Sequence, residues 1–342
     1  MKIKLPFLAL APVIAGLLWC GLSPMAQAAD AKVIKISHQF PGGTIDKGDF
    51  RDRLVRKFAQ EVEKRTNGQL KFEIYPGGSL VKTMQQLDAL SVGALDMTIY
   101  PLAYSGGKIP EVNITLMPAL LTSYEQGYRW KQAPIGKELT DVLDKNNVKI
   151  ITWVWQAGGN ASRDKAILVP DDVKGLKVRG AGKSMDELLK AAGGAIANVP
   201  SDETYNAMQS GLLDGVWTSS ASLMSFRLNE LTKHVTTARN KTFWFMFEPL
   251  LMSKATYDAL TPAQQKIVME VGASLEKFAL EAAKEDDKAL ADVYAKSGVT
   301  VHDMDEKTFN MWRKLAKETS WKSFEENVKD GKKLMQMAET VK

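Results

Sequence analysis

A chain of 342 residues with 45 lysines and arginines against 40 aspartates and glutamates carries a net charge of only +5 and no run of like charge, which excludes an electrostatic nucleic-acid surface. The length is enough for two lobes. The single cysteine, Cys20, lies in an N-terminal leader, so a chain processed there has no disulfide, thiolate nucleophile or Cys-ligated metal.

In that leader Lys2 and Lys4 form a positive start, Leu5 to Leu18 is mostly apolar, and Ala26-Gln27-Ala28 is a small-X-small cleavage pattern. Residues 1–28 therefore read as a secretory signal peptide. Pro6 and Pro12 break an apolar run already too short for a membrane anchor. Trp19 before Cys20 argues against lipid attachment, which needs a small residue there. Loss of Lys2 and Lys4 takes the net charge from +5 to +3, a mild balance that suits a cleft for a small anion. No second long apolar run follows.

The exported part opens with a strand, Val33 to Ser37, and a loop, His38-Gln39-Phe40-Pro41-Gly42-Gly43, at its carboxyl end. A helix over Phe50 to Arg65, a turn at Asn67-Gly68 and a strand from Leu70 to Tyr75 follow. After Pro76-Gly77-Gly78, Ser79 is placed to cap a helix holding Met84, Leu87 and Leu90. Gly93 ends that helix, and a strand from Leu95 to Ile99 empties into Tyr100-Pro101. Leu116 to Leu121 reads as a buried connection, Tyr124 to Leu143 as helices broken at Pro134, and Val148 to Trp155 as an apolar strand. Gln156-Ala157-Gly158-Gly159-Asn160 is polar and glycine-rich, which suits a flexible crossing between lobes.

The next stretch repeats the opening order. A strand at Leu176 and Val178 ends in Arg179, a helix carries Met185, Leu188 and Leu189, and Gly193-Gly194 stops it. Ala195 to Val199 is a strand closed by Pro200, with Ser201 as N-cap and Asp202 and Glu203 in a first helical turn favoured by the dipole. Tyr205, Met208 and Leu212 share one helix face, and the chain turns extended again after Asp214, through Trp217, Thr218 and Ser219. Ala207 to Asp214 parallels Ala89 to Asp96. Two β-α-β-α-β units in one chain argue for parallel α/β sheets, with ligand-lining loops at the carboxyl ends of the strands.

A helix is expected around Leu223 to Leu231, strands at Val235 to Thr237, Phe243 to Phe247, Leu250 to Ser253 and Val299 to His302, and an amphipathic tail from Lys307. Thr261-Pro262 starts a helix that no proline interrupts before Lys296, with Ile267, Val271, Leu275, Phe278 and Ala282 at helical spacing. Such a helix is a coiled-coil segment or a brace across both lobes.

Catalytic patterns are absent. Gly182-Lys183-Ser184 lacks the earlier glycine of a P-loop, since Lys177 stands there. His38, His234 and His302 have no metal-ligand spacing, and no Gly-X-Ser-X-Gly elbow occurs. What remains is a cation at a strand end: the planar fork of Arg179 matches a carboxylate with two parallel hydrogen bonds.

At these residues the chain resembles the periplasmic solute receptors of tripartite ATP-independent periplasmic (TRAP) transporters, the dicarboxylate-receptor-like (DctP) family. The resemblance is strongest over Pro170-Asp171-Asp172-Val173-Lys174-Gly175-Leu176-Lys177-Val178-Arg179 and over Glu203 to Gly215, and extends to Pro76-Gly77-Gly78-Ser79-Leu80 and the helix after Pro262. It implies a periplasmic binding protein-like α/β fold with two lobes, hinge strands and a long helix spanning both. Lobe I is expected over 29–156 and 245–284, and lobe II over 157–244 and 285–342. It also implies a non-catalytic periplasmic receptor, without metal or cofactor, that holds an organic acid by Arg179 and hands it to a membrane permease. The alternatives are a secreted enzyme working in the same cleft and the receptor of an ATP-driven importer.

The chain departs from the family pattern at Gly158-Gly159-Asn160, where many members have a second arginine, and at Ser201, where many have a large aromatic. It also has Val216-Trp217-Thr218-Ser219 where many have Gln-Glu-Asn-Pro. With one cation fewer and a bulky wall gone, the expected ligand is a monocarboxylate with a sizeable apolar or aromatic body. Phe40, Tyr100, Trp217, Phe243 and Trp244 are candidate walls, and Gln39, Asn160, Ser201, Thr218 and Ser219 candidate polar contacts. The other reading packs these aromatics in the core and makes Arg163 or a lysine the second cation.

Overall fold

The computed structural model describes Met1, Ile3 and residues 31–342; the signal peptide, its cleavage site and Cys20 otherwise lie outside the described residues. Twelve strands follow in chain order: β1 Lys32–Ser37, β2 Leu70–Tyr75, β3 Met97–Ile99, β4 Val148–Thr152, β5 Trp155–Ser162 and β6 Lys177–Arg179. The rest are β7 Ala195–Ile196, β8 Gly215–Ser219, β9 His234–Thr236, β10 Trp244–Phe247, β11 Leu250–Ser253 and β12 Thr300–His302. They build two sheets, ordered β2-β1-β3-β11-β4 and β12-β9-β5-β8-β6-β7, with β10 added against β5.

The internal repeat is real in three dimensions. β1 pairs in parallel with β2 and β3, and β6 pairs in parallel with β7 and β8, so each unit places its first strand between the other two. The aspartate ending each repeated segment does the same work. Asp96 Oδ2 accepts the backbone N–H of Lys35 on β1 at 2.8 Å, and Asp214 Oδ2 accepts that of Lys177 on β6 at 2.8 Å. Each carboxylate thereby ties the start of a third strand to its central strand. Left-handed Gly93 and Gly211 turn the preceding helices toward them.

The helix Phe50–Arg65 shows why these sequences form their elements. Asp49 accepts the N–H of Arg51 as cap, Asp52 lies in the first turn, and Lys64 and Arg65 lie in the last, as the dipole favours. Phe50, Leu54, Val55, Phe58 and Val62 form its buried stripe, with Phe58 edge-on to Phe72 of β2 at 5.7 Å.

The chain leaves the first sheet between Thr152 and Trp155 and returns between Phe247 and Leu250. The two passages touch: Glu248 N–H donates to the Val154 carbonyl at 2.9 Å. The crossing is therefore not the expected Gln156 to Asn160, which is buried inside β5. A Cβ at Gly158 would lie 1.9 Å from the Thr218 carbonyl oxygen, and one at Gly159 1.9 Å from that of Thr236. These glycines admit neighbouring backbone rather than supply flexibility.

The expected continuous helix is split at Leu275 into Pro262–Ser274 and Glu276–Lys296. Thr261 and Gln264 form a capping box at its start. Near its end Gly272 backs onto the Ile151 carbonyl, where a Cβ would come within 2.3 Å. The first segment packs on β4; the second packs on the Ser220–Ser225 helix, β5 and β12, and both touch the Phe50–Arg65 helix. One chain segment thereby serves both sheets. The final helix, Gly331–Glu339, packs on the Pro134–Lys145 helix. β12 beside β9 brings His234 Nδ1 and His302 Nε2 to 3.3 Å.

Three local expectations are corrected. Ser79 caps nothing, because the helix is delayed to Gln86–Ser91 behind a 3-10 turn at Thr83–Gln85. Ser201 is not a side-chain cap; its hydroxyl turns to Arg179. Leu212 lies beyond the short helix Thr204–Gln209 and is half exposed.

Gly158→Ala should destabilise the protein by about 1–3 kcal/mol in urea unfolding, since β8 must shift to admit one methyl group. Gly107→Ala, where an added Cβ meets nothing within 4 Å, should stay within about 0.5 kcal/mol.

Candidate functional site

Arg179 ends β6 and is 1% exposed. Its Nε donates to the Val199 carbonyl at 2.9 Å and its Nη1 to the Trp217 carbonyl at 2.8 Å. Its Nη2 donates to the Tyr104 hydroxyl at 2.7 Å and to Ser201 Oγ at 3.2 Å. Every one of these partners is a neutral oxygen, and among the described residues Arg179 makes no ion pair. A buried cation held only by neutral dipoles is poised for an anion.

The site is built from both units. β6 brings Arg179, the turn after β7 brings Ser201, and β8 brings Thr218, whose Oγ1 is 3.4 Å from Ser201 Oγ. Tyr104 comes from the other unit, on the 3-10 turn Leu102–Ser105 that follows β3. Its hydroxyl also receives the Ser201 N–H at 3.1 Å and lies 2.9 Å from Ser201 Oγ. Beside it Thr83 Oγ1 donates to Asp202 Oδ2 at 2.8 Å, a further bond between the units. Tyr104 escapes sequence reasoning because its partners are remote in the chain. Its one signal is position: it lies in the turn at the carboxyl end of β3.

The remaining predicted residues divide. Tyr100 is buried edge-on to Tyr104 at 5.8 Å, and Trp244 Nε1 points at the Gly180 carbonyl at 3.4 Å, so both stay beside Arg179. The rings of Trp217 and Phe243 pack on Trp312, at 6.1 and 4.7 Å. Trp217 reaches the site through its carbonyl alone. Its side chain follows the alternation of β8 away from that of Thr218. Asn160 donates to the Ile167 carbonyl at 3.0 Å, and its Oδ1 has no partner among the described residues. Gln39 is buried at the end of β1, and neither end of its amide has a partner among the described residues. Arg163 bonds the Met208 carbonyl at 3.2 Å.

Ser219 turns away from Arg179. It caps the Ser220–Ser225 helix and accepts from Arg51 Nη1 at 3.3 Å. Arg51 is a second buried guanidinium that sequence reasoning missed. It makes a fork with Asp49 at 2.8 and 2.6 Å, reaches Glu248 at 3.2 Å and Ser222 at 3.0 Å, and lies 3.7 Å over the Phe40 ring. Phe40 therefore serves this cluster. A cation in a helix's first turn opposes the dipole, and that anomaly was the available clue. With two carboxylates already on it, Arg51 has no charge left over for an anion.

Comparison with known proteins shows the family. Residues 46–327 match the family model for bacterial extracellular solute-binding protein, family 7. A solute-binding protein of Albidiferax ferrireducens is 53% identical over 311 residues, covering 91% of this chain and 92% of its own. The chain belongs to this family of solute receptors.

A crystal structure of a TRAP periplasmic solute binding protein from Rhodoferax ferrireducens, with bound malonate, superposes with a TM-score of 0.89. It is 53% identical, covering 90% of this chain and 98% of that one. A marine metagenome TRAP protein specific for aromatic acid ligands, in complex with metahydroxyphenylacetate, shares the fold at TM-score 0.79 and 22% identity, covering 91% and 98%. Among the described residues no helix is long and apolar enough to cross a membrane.

The carboxyls around the receptor's two arginines are shifted in opposite directions. Burial raises Asp186 to about 6, against the Gly180 N–H and the charge of Arg179. Burial likewise raises Asp202 and Glu248, each opposed in part by an arginine. Burial also works on Asp49, but the charge and hydrogen bonds of Arg51 outweigh it and hold that carboxyl low. On the Glu276–Lys296 helix, burial and then the charge of Asp49 push Asp286 up to about 7.

A carboxyl raised in the fold holds its proton more tightly there than in the unfolded chain. Its contribution to stability is present below the unfolded value of 3.8 and is lost as pH rises through the folded value. Asp286→Asn should therefore melt with the wild type at about pH 4 and above it at about pH 8, the gap opening between. Thermal melts across that range measure it; a constant offset would mean that Asp286 stays ionised in the fold.

Proposed function

We propose that this protein captures a small organic acid between two lobes, by its carboxylate at Arg179, and delivers it to the membrane permease of a TRAP transporter. The observation that carries the proposal is the buried Arg179 guanidinium, bonded only to neutral oxygens. The carboxyls near enough to feel its charge, Asp186, Asp202 and Glu248, make no ion pair with it, and burial raises the pKa of each. An external carboxylate is the anion such a site accepts.

The ligand we favour is compact. Two of the expected aromatic walls, Trp217 and Phe243, are occupied with Trp312, and the 53%-identical Rhodoferax ferrireducens protein holds malonate. This weighs against the sizeable aromatic body. The role we propose is binding, in keeping with a family of solute receptors. In this reading residues 1–28 are a cleaved signal peptide and the receptor works in the periplasm.

Arg179→Ala should weaken binding of the preferred acid by roughly 2–5 kcal/mol, read by calorimetry, with the fold retained. Near-wild-type affinity in that variant would refute the assignment.

We further propose that each of the two sheets is the centre of one lobe, and that the lobes close by bending at the paired passages. The bend then lies at Trp153-Val154 and Glu248-Pro249, where the chain changes sheets. Closure requires contacts from both lobes, which Tyr104 and Arg179 supply. Small-angle scattering should show a smaller radius of gyration with saturating acid. An unchanged radius would count against it.

A further inference from the structure

His234 and His302 are 68 residues apart in the chain, and the fold brings them together. β12 pairs in parallel with β9, with Thr300 opposite His234 and His302 opposite Thr236. Residues two apart on a strand share a face, so the two imidazoles are diagonal neighbours on one face of the sheet edge. His234 Nδ1 and His302 Nε2 lie 3.3 Å apart, with the rings tilted by 34°. Both residues are partly exposed. His302 also borders a cavity of about 360 Å³ together with Thr236, Val301, Asp303 and Asp305.

This spacing is long for a direct hydrogen bond between the rings but fits the bite of a metal ion. Imidazole nitrogens lie about 2.0–2.1 Å from zinc, and a tetrahedral angle sets two of them roughly 3.3–3.4 Å apart. The surroundings favour a cation. Asp303 is paired with Arg239 at 2.7 Å and bonded by Thr237 at 2.6 Å, and Asp305 caps the Glu306–Ala316 helix through the Thr308 N–H at 2.7 Å. Committed in this way, the two carboxylates supply negative charge at the cavity while the imidazoles supply the lone pairs. Burial, and then the charge of His234, hold the His302 pKa below its ordinary value against the pull of Asp303, which keeps that lone pair available at neutral pH.

We propose that His234 and His302 form a two-imidazole site for a divalent transition-metal ion of the zinc, nickel or copper class, which pins β12 to β9. Neutral imidazole suits these metals. Two protein ligands fall short of the four of a structural zinc site, so water from the cavity completes the coordination and the ion exchanges. The ion secures an edge: β12 is the outermost strand of its sheet and has three residues. The chain then enters the Glu306–Ala316 helix, whose Trp312 packs on Trp217 and Phe243. Three strand spacings, roughly 14 Å, separate β9 from β6 and Arg179, so the site is distinct from the one assigned to the organic acid.

Calorimetry and thermal melts of the exported chain, carrying no polyhistidine tag, test the site with zinc chloride as the probe. The wild type should bind a single zinc ion and melt higher in its presence. His234→Gln and His302→Gln keep a hydrogen-bonding amide but lose the imidazole pair, and each should weaken zinc binding by about 10-fold or more. Should the glutamine variants not fold, electron paramagnetic resonance of the wild type loaded with one copper(II) ion decides. Coupling to two imidazole nitrogens supports the site, and coupling to one or none overturns it. Zinc that does not bind, or that binds both variants as tightly as the wild type, likewise overturns it.

Discussion

The cost of burying the Arg179 charge organises this protein. An unpaired guanidinium taken out of water is tolerated only if oxygens surround it. Four of them come from three separate pieces of chain: the carbonyls of Val199 and Trp217, the hydroxyl of Ser201 and, across the cleft, the hydroxyl of Tyr104. Each must arrive within hydrogen-bond distance at once. That requirement fixes where β6, β7 and β8 end and how closely the two units meet. The arrangement keeps the cation solvated by protein without neutralising it, which leaves its charge for a ligand.

The two-unit frame was legible in the sequence because its determinants are local. Apolar spacing, the glycines after each helix and the aspartates at 96 and 214 lie within short windows, and the β1 to β3 frame recurs at β6 to β8. Arg179 was legible for the same reason, as a cation at a strand end. Tyr104 and Arg51 were not, because their partners lie far along the chain, at Ser201 and Glu248. Gly158-Gly159 misled because glycine serves flexibility and close backbone approach equally, and only neighbouring strands decide between them. The aromatic residues misled in the same way. Nothing local to Trp217 or Phe243 announces that Trp312 is their partner.

Arg51 complements Arg179 by opposite means. It is neutralised twice, by Asp49 beside it and by Glu248 on the passage between sheets, while it also holds Ser219 and Ser222 at the head of a helix in the other unit. One guanidinium thus connects a loop of the first unit, a passage between the sheets and the second unit. Its role is mechanical where that of Arg179 is electrostatic. Burial, and then the charge of Asp49, raises the carboxyl of Asp286 nearby.

The contact between Gly158 and the Thr218 carbonyl has a consequence for how such a receptor is tuned. The strand bearing Thr218 is seated against a position that has no side chain, on the neighbouring strand β5. Any volume added there displaces the backbone that carries Thr218 and, one residue earlier, the carbonyl that anchors Arg179. Affinity is therefore adjustable through backbone seating, at a residue whose missing side chain offers the acid nothing to touch. Substitutions at such seats form a route to graded responses in a sensor built on this scaffold, separate from redesign of the binding groups themselves.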